Sequence, residues 1–135
     1  MALICWSTEY SVEVDSIDKQ HQKLFDMLNG LHDAMKVGKG SETVPLILGE
    51  LVQYTREHFA SEENLMLRAG YPDYGKHKAE HDKLTRDGMH MVRDLEQGKI
   101  ALTMDLQDFL RQWLQTHIVS SDRKYTAHLQ AAGIH

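Results

Sequence analysis

The sequence predicts an all-α fold, namely an antiparallel up-down-up-down four-helix bundle with an N-terminal arm of about residues 1–16 and a short C-terminal helix. Two observations predict it. Apolar residues recur at steps of three and four in four separate segments, which is the spacing of one buried helix face. Breaks that contain glycine or proline separate these segments, and short connections make successive helices antiparallel neighbours.

The first two helices are predicted over residues 17–35 and 44–65, with glycines and a serine interrupting the apolar pattern between them. We expect Ser41 or Thr43 to cap the second helix, because a side-chain oxygen can accept a hydrogen bond from the first turn. Pro45 should lie in that first turn, where the N–H that proline lacks would have no partner anyway.

The third and fourth helices are predicted over residues 74–95 and 102–118. A strong break, Ala-Gly-Tyr-Pro-Asp at residues 69–73, precedes the third helix, and the pattern lapses again around Gly98. No repeat or linker marks a second domain, and 135 residues suit a single core. We therefore expect one domain, residues 1–135.

Composition and charge exclude several classes of protein. The hydrophobic content of 41% and the charged content of 26% are those of a folded chain. A formal charge of -5 opposes binding to nucleic acid. Cys5 has no partner for an internal disulfide, which favours the reducing cytoplasm, and no apolar stretch is long enough to span a membrane.

Six residues that can bind a metal ion lie on the predicted helices, and a seventh, Asp122, follows the fourth helix. Residues four apart are offset by only about 40 degrees, so each pair at this spacing shares a helix face. These faces are also the apolar ones, where an ionisable residue is costly unless something satisfies it. Imidazole and carboxylate ligands suit iron, copper, zinc or nickel, and a carboxylate can bridge two ions. The seven are His21, His58, Glu62, His77, His81, His117 and Asp122.

Asp122 follows His117 by five residues, an offset of about 140 degrees on a regular helix. Both can reach one site only if the backbone after Ile118 widens into a single wide turn or leaves the helix. A regular helix through residue 125 would remove Asp122 from the site.

Taken alone, most of these residues have simpler interpretations. A lone histidine such as His21 is more often a hydrogen-bonded core residue, and a His-x-x-x-Glu pair is more often a surface contact. Only their combination on four helices favours a metal site. Glu63 points about 100 degrees away from Glu62, which predicts a solvent or capping contact, and Tyr125 could support Asp122 from behind. Four other histidines belong to no such set: His32, His90, His128 and His135.

These motifs make the chain resemble the hemerythrin family, specifically its single-domain bacterial members, the bacteriohemerythrins. The resemblance covers almost the whole chain. Glu13 departs from it, because many bacterial relatives carry glycine there. The matching elements are Trp6, the run IDKQHQKL at 17–24, the run HFASEE at 58–63, Tyr71-Pro72 before His77 and His81, and Trp113-Leu114, His117-Ile118, Asp122 and Tyr125.

The resemblance implies a non-haem centre of two iron ions with a bridging oxo or hydroxo group. It places His77, His81 and His117 on one iron and His21 and His58 on the other. Glu62 and Asp122 would bridge the two. At about six positions per iron, these ligands fill all positions but one. The residues that match the family's oxygen pocket are Leu24, Phe59, Trp113, Leu114 and Ile118.

The function implied is reversible dioxygen binding without catalysis, for oxygen storage or for delivery to an oxygen-requiring enzyme. Three enzyme or sensor classes stay open: a di-iron oxidase or peroxidase, an oxygen or redox sensor, and a metal-dependent phosphohydrolase suggested by His81-Asp82. A haem-binding bundle is a further alternative, although it needs only one or two axial ligands.

Overall fold

The structure is a computed structural model that describes residues 4–36, 40–97, 104–118 and 122–135. These residues form helices and connecting turns without a β-strand, and the first four α-helices make the predicted bundle. The described helices lack the combination of length and apolar run that crossing a bilayer requires. The helices are α1 (Asp15–Lys36), α2 (Gly40–Ala69), α3 (Tyr74–Glu96), α4 (Met104–Thr116) and α5 (Thr126–Ala131).

Helix α1 buries one continuous stripe against α2. The stripe advances by alternating steps of four and three residues, which keeps one helix face directed at a neighbouring helix. Each of its members is at most 2% exposed, and they are Ile17, His21, Leu24, Leu28 and Leu31. On α2, Leu48, Leu51 and Met66 belong to the same core. His21 therefore enters the core as part of the stripe.

Helix α2 begins earlier than the sequence predicts. Its first residue is Gly40, so Ser41 and Thr43 lie inside the helix and do not cap it. Pro45 lies beyond the first turn. Both of these predictions were wrong, because glycine, read as a break, is here part of the helix.

A sharp turn joins α2 to α3 and sets the two helices side by side. Gly70 has a positive φ of 65°, a conformation that glycine adopts without steric cost. Around it, Tyr71 N–H donates to the carbonyl of Met66 at 3.0 Å, and Gly70 N–H donates to that of Leu67 at 3.2 Å. This pair of hydrogen bonds is the usual glycine-ended helix terminus. As a result, the start of α3 faces the end of α2.

The backbone leaves the regular helix after α4. The α-helix ends at Thr116, and His117 and Ile118 have π-helical backbone. Asp122 then opens a 3-10 helix, Asp122–Tyr125, that leads into α5. The break in the helix that Asp122 requires is thus present.

The N-terminal arm runs to residue 14 and packs on α1. The carboxylate of Asp18 accepts hydrogen bonds from the Ser11 hydroxyl at 2.6 Å and from Val12 N–H at 2.9 Å. Between these contacts and the helix, Glu13 has a φ of 59°. This left-handed conformation favours glycine, so Glu13 carries backbone strain that a glycine would not.

Candidate metal centre

The structure brings all seven predicted ligands together inside the bundle. His21 comes from α1, His58 and Glu62 from α2, and His77 and His81 from α3. His117 lies in the π-helical turn and Asp122 at the start of the 3-10 helix. All seven side chains are buried, and Asp122 is completely enclosed.

The ligand atoms form two groups that could each hold an ion. In each group, the atoms lie within 4.8 Å of one another. The three-histidine group consists of His77, His81 and His117 with Glu62 and Asp122, and the two-histidine group consists of His21 and His58 with the same Glu62 and Asp122. Both carboxylates therefore belong to both groups.

Asp122 directs one oxygen towards each group. Its Oδ1 lies 3.0 Å from Nε2 of His77 and 3.0 Å from Nε2 of His117. Its Oδ2 lies 3.0 Å from Nε2 of His21. A carboxylate in this position can bond to two ions at once.

Glu62 divides its oxygens in the same way. Oε1 lies 3.2 Å from Nε2 of His21 and also contacts His58. Oε2 lies 3.6 Å from Nε2 of His77 and 3.4 Å from Nε2 of His81. The two carboxylates thus stand between the same two sets of imidazoles.

Several buried ligand atoms point at one another without pairing. Within the described part of the chain, Nε2 of His58 and of His81 have no hydrogen-bond partner, and neither has Oδ2 of Asp122. Nε2 of His58 contacts Oε1 of Glu62, Nε2 of His81 lies 3.4 Å from Oε2 of Glu62, and Oδ2 of Asp122 lies 3.0 Å from Nε2 of His21. Buried polar atoms are nearly always paired, so this arrangement fits ligands that converge on a cation.

The two carboxylates favour the protonated form of the histidines around them. Burial by itself would lower the pKa of His21, but hydrogen bonds and charge from Asp122 and Glu62 outweigh it and raise that pKa to about 9. The pKa of His77 rises to about 9 by the same balance. Burial would raise the pKa of Glu62, yet the charge of His58 and the surrounding imidazoles hold it well below its usual value. Metal binding at such ligands displaces protons.

Comparison with known proteins agrees with this cation site. Residues 12–129 match the family model described as the hemerythrin HHE cation binding domain. The chain belongs to the hemerythrin family. The resemblance predicted from the sequence motifs is confirmed.

Relatives of known name match nearly the whole chain. The bacteriohemerythrin of Methylococcus capsulatus is 39% identical over 132 residues, which cover 97% of this chain and 100% of that protein. The bacteriohemerythrin of Stenotrophomonas maltophilia is 34% identical over 131 residues, or 97% of this chain and 84% of that one. A crystal structure of wild-type hemerythrin is similar with a TM-score of 0.89 at 36% identity, covering 95% of this chain and 98% of its own.

Three candidate ligand histidines of this hemerythrin-family chain contact acceptors on other helices through Nδ1. The Nδ1 atom of His58 lies 2.6 Å from Oε1 of Gln20. That of His81 lies 3.0 Å from Oε2 of Glu63, and that of His117 lies 2.8 Å from Oε1 of Glu80. Such contacts fix the tautomer that leaves Nε2 available for a metal.

Sequence reasoning missed these three acceptors. Glu63 was predicted to make a solvent or capping contact, which is wrong, because its side chain reaches across to α3. Each of the three stands beside a ligand in the sequence, next to His21, Glu62 or His81. That adjacency was a signal, but the histidine that each one contacts lies on a different helix.

Apolar side chains surround the cluster. The ring of Phe59 stacks on His81 with centroids 3.8 Å apart, and Ile118 is fully buried. Leu24 and Leu114 line an apolar cavity of about 20 Å³ together with Leu28, Leu51 and Leu110. The side chain of Trp113, another predicted pocket residue, lies outside the described residues.

Tyr125 closes the cluster on the side of α5. Its ring stacks on His77 with centroids 5.7 Å apart. Burial raises the pKa of Tyr125 well above its ordinary value, and the charges of Glu62 and Asp122 raise it further. The tyrosine therefore stays a neutral phenol beside the cluster, and within the described residues its hydroxyl has no hydrogen-bond partner.

Proposed function

We propose that this hemerythrin-family chain binds dioxygen reversibly at a non-haem di-iron centre and does not catalyse a reaction. The observation that carries the proposal is the shared pair of carboxylates. Glu62 and Asp122 each offer one oxygen to the three-histidine group and one to the two-histidine group. A site for one ion would not need two carboxylates that each direct their two oxygens towards two different groups of histidines.

The proposed ligand set follows the two groups. His77, His81 and His117 would hold one iron, His21 and His58 would hold the other, and Glu62 and Asp122 would be shared between them. With a bridging oxo or hydroxo group and about six positions per iron, this set would leave one position open, where dioxygen would bind. When bound, the iron pair supplies the electrons that dioxygen takes up and gives back.

The apolar cavity supports reversible binding. Leu24 lies one turn after His21, and Leu114 lies one turn before His117, so two of the residues that line the cavity are each one helical turn from a candidate ligand. A cavity lined by leucine stays dry, and about 20 Å³ is enough for one small molecule. Excluding water and protons from the open position protects the bound dioxygen from side reactions.

The donor set favours an oxygen carrier over a di-iron oxidase or peroxidase. Ferritin-like di-iron sites use two Glu-x-x-His motifs with additional carboxylates. Here the cluster has five imidazoles and only two carboxylates. Fewer anionic ligands make highly oxidised iron less accessible. We propose oxygen storage or delivery to an oxygen-consuming enzyme as the biological use, and the cytoplasmic location and the lack of a nucleic-acid partner stay predictions.

A cycle of oxygenation tests the proposal. The chain is loaded with ferrous iron under nitrogen, exposed to air, and then stripped of oxygen while the visible spectrum is recorded. We expect a colour that appears with air and disappears on stripping, through several cycles. Irreversible oxidation with turnover of an added reductant would favour the oxidase, a sharp porphyrin band the haem bundle, and zinc-dependent phosphate release the hydrolase.

Substituting Leu114 with alanine tests the apolar cavity. Leu114 is 4% exposed, so its truncation enlarges the cavity and admits water. We expect autoxidation of the loaded protein to be at least several times faster than in the wild type. The matched control is Leu46→Ala, because Leu46 is 67% exposed. An unchanged autoxidation rate in Leu114→Ala would remove the gating role of this leucine.

A further inference from the structure

The two ligand groups differ in the charge of the residues behind their histidines. Behind the three-histidine group stand two carboxylates, Glu63 on His81 and Glu80 on His117. Behind the two-histidine group stands a neutral amide, Gln20 on His58. Within the described residues, Nδ1 of His21 has no hydrogen-bond partner. The acceptors are therefore anionic on one side of the centre and neutral on the other.

This difference acts on the metal positions through the imidazole rings. An imidazole whose Nδ1–H donates to a carboxylate becomes a more electron-rich ligand at Nε2 than one that donates to an amide. Each carboxylate also stands only one ring away from the metal position, inside a largely buried cluster. Both effects stabilise the more positive oxidation state of the nearer ion.

Resting on the di-iron function proposed above, we infer that Glu63 and Glu80 are positioning residues that make the three-histidine iron the first to be oxidised. The iron of lower potential is then the one without an open position. The two-histidine iron, beside the neutral amide of Gln20, stays in the reduced state in which it can bind dioxygen. The acceptors thereby divide the roles of the two ions.

The surroundings of the two carboxylates predict which contributes more. The side chain of Glu63 is 16% exposed and that of Glu80 is 41% exposed, so solvent screens Glu80 more strongly. Lys78 Nζ lies 3.6 Å from Glu63 but is shared with Asp82 at 3.0 Å. Removing the charge of Glu63 would leave this lysine less compensated. We therefore expect the larger effect at Glu63.

The test is the potential of each one-electron oxidation step in the iron-loaded chain, measured by spectroelectrochemistry. Glu63→Gln and Glu80→Gln keep an oxygen that can accept the imidazole N–H but remove the charge. We expect Glu63→Gln to raise the potential of the first oxidation step by about 59 mV. For a one-electron couple, this favours the reduced form about tenfold. Glu80→Gln should shift the potential in the same direction by less.

Two further variants keep the inference falsifiable. Gln20→Glu adds a negative charge behind His58 and should lower the potential of the second oxidation step. This shift is opposite in sign to those expected for Glu63→Gln and Glu80→Gln. Glu50→Gln removes one exposed charge from α2, at a position that is not a candidate ligand, and should leave the potentials of both oxidation steps unchanged. If Glu63→Gln fails to bind iron, the sign of the potential shift in Gln20→Glu still tests whether a charge behind a histidine sets the potential of the nearer iron.

The outcomes separate this inference from the function on which it rests. Iron content and reversible oxygenation of the wild type test the di-iron function before any variant is compared. With those in place, potentials in Glu63→Gln and Glu80→Gln equal to that of Glu50→Gln would overturn the inference. A shift of the same sign in Gln20→Glu and Glu63→Gln would also overturn it.

Discussion

Helices α1 and α3 are of similar length but are buried by different kinds of residue. Helix α1 buries a stripe of leucine and isoleucine with His21 among them. In α3, the buried residues are His77 and His81, while its apolar side chains are half-buried or exposed. A fully buried leucine stabilises a fold by about 1.5–3 kcal/mol, so α1 is held by its own apolar packing. We infer that α3 depends instead on its ligands.

This difference couples the proposed chemistry to folding. A metal that binds the folded chain and not the unfolded one adds its binding free energy to stability. The binding free energy of the metal should stabilise most the helices that bury the least apolar surface. The difference between α1 and α3 should therefore appear when the ligands, the metal or the buried leucines are removed.

Glu62→Ala should have the largest effect, because Glu62 belongs to both ligand groups. We expect the variant to lose both irons while α1 keeps its packing. Iron per chain, measured after reconstitution and gel filtration, checks this. Glu57→Ala, an exposed position on the same helix, is the matched control and should keep its iron. A Glu62→Ala chain that retained two irons would disprove the bridging assignment.

Removing the metal should loosen α3 more than α1. We expect amide protection in Tyr74–Glu96 to fall by about tenfold or more on chelation, and protection in Asp15–Lys36 to fall by less. Hydrogen exchange of the loaded and chelated protein measures both helices in one experiment. Chelator should have no effect on Glu62→Ala. Equal losses in α1 and α3 would contradict the contrast between them.

The same leucine truncation should cost more in α1 than in α3. Leu28 is 2% exposed, and its substitution by alanine should lower the free energy of unfolding by about 2–5 kcal/mol. Leu84 is only half-buried, so Leu84→Ala should cost about 1 kcal/mol. Urea unfolding of the metal-free chain tests the pair. A larger cost at Leu84 would show that α3 has an apolar core of its own.

The smallest expected effect lies in the N-terminal arm, outside both helices. Glu13→Gly should raise the free energy of unfolding by about 1 kcal/mol, because glycine adopts the φ of 59° without strain. Glu13→Ala keeps the strain and should show no gain. Thermal unfolding measures both, and iron content should be the same in all three proteins.

Much of the fold, and the convergence of the seven candidate ligands, could be predicted from the sequence because both follow from helical spacing. The stripe from Ile17 to Leu31 and the pairs at four-residue spacing each require only one helix to be interpreted. Even the break after α4 followed from the five-residue gap before Asp122, since a regular helix could not direct both residues inwards.

What the sequence did not predict depends on contacts between helices. Gln20, Glu63 and Glu80 each contact a histidine on another helix, and no local spacing encodes that pairing. The start of α2 was also missed, because glycine at its first position was interpreted as a break.

Iron K-edge X-ray absorption on the reconstituted protein, combined with an iron count, tests the central claim most directly. Shared bridging by Glu62 and Asp122 predicts two irons per chain and an iron neighbour no more than about 4 Å away, the upper end of two-metal sites. A single iron per chain, or two irons without a neighbour at that distance, would contradict the shared centre.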